Sequence, residues 1–143
     1  MSDRPSAPLT RRTFLAASAA ALAAARTRAA DDPFGGFTVG VQSYTFRNFG
    51  LKQALKRTRA AGLSHIEFYR GHVPVAADAD KLAAVKKLCG EYGVAPVAFG
   101  VEPFSKDHDA NKRRFEFAAG LGVKYLGADP DPDSFDSLDK LVA

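Results

Sequence analysis

Three segments of this chain end alike: Ala61-Gly62-Leu63, Tyr92-Gly93-Val94 and Leu121-Gly122-Val123. In each, an amphipathic helical pattern runs into a glycine, which supplies the left-handed cap that closes a helix. An aliphatic residue then opens a strand-like run at once. The strand-like runs centre on Val39, Ile66, Val97 and Leu126, at intervals of 27, 31 and 29 residues. A period of about thirty residues is the size of one strand–helix unit, and such units place consecutive strands parallel with right-handed crossovers.

The helical patterns between the strands are legible residue by residue. Leu51, Ala54, Leu55 and Thr58 share one face; Leu82, Val85, Leu88, Cys89 and Tyr92 share another, with Asp78 or Asp80 as its expected N-cap. Phe115, Ala118, Ala119 and Leu121 define a third, and a fourth helix is expected from Ser134 through Phe135, Leu138 and Leu141. Two α/β architectures accept this order: an open doubly wound sheet, or part of a (βα)8 barrel. A doubly wound nucleotide binder carries a glycine-rich turn directly after its first strand. Here that segment is Ser43-Tyr44-Thr45-Phe46-Arg47-Asn48-Phe49-Gly50, whose one glycine comes too late. The barrel is the expectation.

Charge separates the first thirty residues from the rest. Residues 1–30 hold five arginines against Asp3, whereas residues 31–143 hold fifteen basic and fifteen acidic side chains. The neutral remainder excludes a nucleic-acid footprint, which needs basic residues clustered on the folded domain. The leading stretch reads as an export signal over residues 1–30: Arg11-Arg12 precede Phe14-Leu15, and a twelve-residue apolar run, Phe14 to Ala25, follows. That run is shorter than the roughly twenty residues a membrane span needs. The paired arginines resemble the twin-arginine export motif, which implies a periplasmic or other extracytoplasmic destination. Cys89, alone of its kind, makes no internal disulfide and is read as a small packed hydrophobe.

In a barrel the chemistry sits on the loops after the strands. Strand alternation sends Ile66 and Phe68 toward helices and His65, Glu67 and Tyr69 the other way; it also sends Gln42 and Tyr44, and on later strands Glu102 and Asp129, inward. Glu67 serves either as a site carboxylate or as a partner of Arg70 or a lysine. His72, between Gly71 and Pro74, is either a turn residue or a site residue. His108 is expected to be a solvated capping residue. The run Asp129-Pro130-Asp131-Pro132-Asp133 is not a calcium loop, because Ser134 and Lys140 stand where an EF-hand needs glycine and glutamate. It is read as a stiff turn, with Asp133 or Ser134 capping the next helix.

Val39-Gly40-Val41-Gln42-Ser43-Tyr44-Thr45-Phe46-Arg47 resembles the opening strand of the sugar phosphate isomerase/epimerase family, the xylose-isomerase-like TIM barrels. Gly62 through Tyr69, with His72 and Pro74, resembles that family's second unit, and the stretches Val101-Glu102-Pro103-Phe104 and Phe115-Glu116-Phe117-Ala118 resemble its third. The resemblance implies that residues 31–143 form the first half of a (βα)8 barrel. It also implies an enzyme that moves a proton between adjacent carbons of a sugar or cyclitol with a divalent metal (Mn, Mg or Co). The family's metal ligands lie in the second half of the barrel, so none is carried over. Gln42, Tyr44, Glu67 and His72 are carried over as candidate substrate contacts. The expectation for this chain alone is no turnover, no bound metal, and self-association through open barrel edges. The competing reading is a non-catalytic four-stranded α/β binding module.

Overall fold

The computed structural model describes residues 33–76 and 78–142, so the expected leader lies outside the described residues. Residues 33–36, in the unit that ends at Thr38, form turns; the fold is that of the unit Val39–Ala143. Four strands, β1 (Gly40–Gln42), β2 (His65–Phe68), β3 (Ala95–Phe104) and β4 (Tyr125–Pro130), form one parallel sheet in the order β1-β2-β3-β4. The helices α1 (Leu51–Ala60), α2 (Ala79–Tyr92), α3 (His108–Leu121) and α4 (Phe135–Val142) follow the strands in turn. Because the strand order never reverses, right-handed crossovers put every helix on the same face of the sheet. Each helix accordingly touches the next in chain order. No described helix is long and apolar enough to cross a membrane.

The core lies between that helix layer and the sheet. Ile66, Phe68 and Phe99 from the strands pack with Leu55, Leu82, Cys89, Phe117 and Leu121 from the helices, all buried. Phe99 and Phe117 meet edge to face with centroids 4.8 Å apart. The helix ends follow local chemistry. Asp78 caps α2 by accepting from the Lys81 amide at 2.9 Å, and Asp107 caps α3 by accepting from Ala110 at 3.0 Å. Gly93 and Gly122 take the left-handed conformation just past α2 and α3.

Several expectations are corrected here. The buried face of α3 is Asn111, Phe117, Ala118 and Leu121, with Ala119 exposed. Ala118 and Leu121 lie on the face that hydrophobic spacing assigns, but the first turn buries the polar Asn111, which that spacing does not reveal. His108 is no cap: its Nδ1 hydrogen-bonds the Ser137 hydroxyl of α4 at 2.9 Å. Ser134 is buried, and donates its hydroxyl to the Asp131 carbonyl at 2.7 Å within a short 3-10 turn ahead of α4. Glu102 points to the helix layer instead of away from it. Phe99 pairs with Leu126 and Glu102 with Ala128, so three steps on β3 match two on β4. That extra residue reverses the alternation, and Phe99, Glu102 and Phe104 all face the helices.

Candidate functional site

The carboxyl ends of β1 and β2 are tied together before any ligand is considered. Ser43, buried just after β1, accepts a hydrogen bond from the Tyr69 amide at 3.0 Å. The Tyr44 ring stands edge-on to Tyr69, with centroids 5.3 Å apart, and the Arg47 guanidinium lies 4.7 Å from the Tyr44 centroid. Tyr69 in turn meets the His72 ring edge-on at 4.7 Å. A Cβ on Gly71 would overlap the Tyr69 ring, so a larger residue there would have to displace that ring from the pair.

A cavity of about 350 Å³ opens at this point, lined by Gln42, Tyr44, Tyr69, Arg70, Gly100 and Val101. Two of the expected contacts, Gln42 and Tyr44, therefore line one cavity. Glu67 and His72 lie outside that lining. The half-buried Glu67 lies over β4: a Cβ built on Gly127 would be 3.2 Å from its Oε1. It has no hydrogen-bond or ion-pair partner among the described residues, Arg70 being engaged elsewhere. His72 donates from Nε2 to the Phe49 carbonyl at 2.8 Å, which fastens the loop after β2 to the loop after β1. Its Nδ1 is buried and finds no hydrogen-bond partner among the described residues.

Arg70 is the lining residue that sequence reading weighed only as a partner for Glu67. Its Nε donates to Glu102 Oε1 at 3.1 Å and its Nη2 lies 3.1 Å from Oε2, a two-point pairing. Arg114 of α3 approaches the same carboxylate, Nε to Oε2 at 3.4 Å. Glu102 is 2% exposed, so two guanidinium groups stabilise a charge that burial alone would penalise. The one advance signal for Arg70 was its place, next to Gly71 in a loop on the strand-end face.

A second cavity, of about 460 Å³, lies on the helix side between α3, β4 and α4, lined mainly by Phe104, Phe115, Ala118, Leu126, Leu138 and Val142. It is the larger of the two, but Lys124 and Tyr125 are its only polar lining side chains, whereas a specific small-molecule site needs several converging polar groups. The strand-end cavity has them. Among the described residues no three His, Cys, Asp or Glu side chains converge as a metal-binding set. With no third such group beside them among the described residues, Glu67 and His72 do not make up the ligand set of the divalent metal that the family resemblance implies.

No family model matches the chain, and no curated protein matches it. Among solved structures it is similar to the crystal structure of an uncharacterised protein from Parabacteroides distasonis ATCC 8503, with a TM-score of 0.68 and 22% identity. The similarity covers 74% of this chain and 48% of that one, so the chain spans about half the length of the structure it matches. A likeness at this identity is one of fold.

Proposed function

We propose that residues 39–143 are four consecutive units of a (βα)8 barrel of the sugar phosphate isomerase/epimerase kind, and that the strand-end cavity is one wall of a site for a sugar or cyclitol. The observation that carries this reading is the position of the cavity. It lies at the carboxyl ends of β1 and β2, in a sheet whose order follows the chain without reversal. Open doubly wound sheets bind ligands where the strand order reverses, and barrels bind them at the carboxyl ends of their strands. A match over about half of the similar structure agrees with half a barrel.

The lining suits a polyhydroxylated ligand. The Gln42 amide both donates and accepts, the tyrosine hydroxyls do the same, and two rings set at 90° offer apolar faces to the C–H surface of a sugar. These residues bind and orient; proton transfer and the metal of the family's reaction belong to groups outside this set, and no step is assigned to them here. The proposal extends to residues 1–30 as a twin-arginine leader that carries the protein out of the cytoplasm.

The test is a titration of the isotope-labelled protein with neutral ketoses, aldoses and cyclitols, followed by amide chemical shifts. Gln42, Tyr44 and Tyr69 are expected to shift together, and Gln42→Ala or Tyr44→Ala to weaken the response. A folded protein in which none of these resonances moves with any polyol would overturn the reading.

A further inference from the structure

The Arg70–Glu102–Arg114 group holds one more positive charge than Glu102 needs. A single carboxylate balances one guanidinium, and Arg114, with a side chain 23% exposed, also lies near it from α3, its buried Nε 3.4 Å from Oε2 without a hydrogen bond. Arg114 is also anchored within its own helix, donating to the Ala110 carbonyl at 2.8 Å. A second arginine costs rotamer entropy and desolvation without being required for charge balance. Arg70, with a side chain 54% exposed, lines the cavity. What Glu102 provides to Arg70 is a fixed plane and direction.

The pairing to Glu102 is side-on, through Nε and Nη2. It leaves both N–H groups of Nη1 and the second of Nη2, the end-on fork of the guanidinium, without a partner among the described residues. That fork is planar, and its two parallel N–H directions match the two oxygens of a carboxylate. Arg47, held against Tyr44, adds positive charge on the same rim. Glu67, three residues back along the chain, lies over Gly127 and outside the cavity lining, so no carboxylate of the lining opposes these cations.

We propose that the end-on edge of Arg70 is a carboxylate subsite, and that the ligand of this cavity is a sugar acid, a polyol with a terminal carboxylate. Its carboxylate pairs with Arg70 while its hydroxyls reach Gln42, Tyr44 and Tyr69. Glu102 is the positioning residue that holds the guanidinium plane. This inference rests on the polyol reading of the same cavity and narrows it to one substrate class.

The experiment measures affinities of the full chain for three matched six-carbon probes at low salt: glucitol, gluconate and glucitol 6-phosphate. Gluconate is expected to bind tighter than glucitol by on the order of ten-fold, as a charge-assisted hydrogen-bonded pair provides. The preference should shrink as salt is raised. Arg70→Gln should bring the gluconate-to-glucitol ratio close to one, and Arg70→Lys should recover part of it. Glu102→Gln should also lower the ratio, whereas a purely structural loss would weaken both probes alike. Should a variant fail to fold, the ratio in the unaltered protein and its salt dependence decide the matter. Equal binding of glucitol and gluconate, or a preference for the phosphate ester over the carboxylate, would overturn the carboxylate subsite while leaving the polyol site standing. Failure of all three probes to bind would remove both.

Discussion

Two glycines face each other across β3 and β4, and the structure assigns them opposite sensitivities. Neither Gly100 nor Gly127 has a positive φ, so alanine is conformationally permitted at both. The surroundings differ. A Cβ on Gly100 would lie 2.8 Å from the Cα and carbonyl oxygen of Gly127 and 2.9 Å from its nitrogen, all main-chain atoms of a paired strand. Carbon atoms settle about 3.5–4.0 Å apart, so the strands must separate by roughly 1 Å at a point pinned on either side by the Phe99–Leu126 and Glu102–Ala128 pairings. Gly100→Ala is therefore expected to cost about 2–3 kcal/mol, the upper part of the range for overpacking. For a unit of this size that lowers Tm by roughly 10–20 °C. A Cβ on Gly127 is tight only against the end of the Glu67 side chain, at 3.2 Å, with Gly100 Cα at 3.5 Å and the Phe99 carbonyl oxygen at 3.8 Å in ordinary contact, and that carboxylate can turn aside. The reduced freedom of the unfolded chain offsets the adjustment, so Gly127→Ala should fall within about 0.5 kcal/mol of the unaltered protein. Urea unfolding followed by circular dichroism, with midpoint and slope fitted separately, distinguishes the two. Equal effects from the two substitutions, or a Gly100→Ala protein as stable as the original, would refute the close approach of β3 and β4.

Burial pushes the Cys89 thiol up to about 11, so its reaction with a disulfide reagent at pH 8 should be slow in the native protein and rapid in urea. Because the folded-state value is raised, the thiol's contribution to stability is complete below the unfolded value near 9 and is lost as pH climbs toward 11; a Cys89→Ala protein whose stability falls just as steeply over that window would contradict this. For the proposed leader, Arg11→Lys combined with Arg12→Lys should abolish export of a fused reporter, and continued export of the double variant would remove the twin-arginine assignment.

Much of the architecture is legible in the sequence because it is set locally. The helix–glycine–aliphatic repeat places the strand–helix units, Asp78 or Asp80 reads as a cap from its position ahead of an apolar period and the structure selects Asp78, and Cys89 falls on the inner face of α2 by spacing alone. Gln42 follows from its place at the end of the first strand; Tyr44 lies in the 3-10 turn Ser43–Phe46 just beyond it, so strand alternation does not account for it, although both line one cavity. Glu102 could not be placed in this way. Its direction depends on the register of β3 against β4, where an extra residue reverses the alternation that sequence reading must assume to be unbroken. The partner of Arg70 is equally hidden: it lies 32 positions away, and only the packing of α3 beside the sheet brings Arg70, Glu102 and Arg114 to one point. Periodicity belongs to a single element and is written in the chain. Which charges meet is a property of how elements pack, and in this protein the tertiary structure alone decides that Arg70 is held, with one edge of its guanidinium unpaired, at the rim of the strand-end cavity.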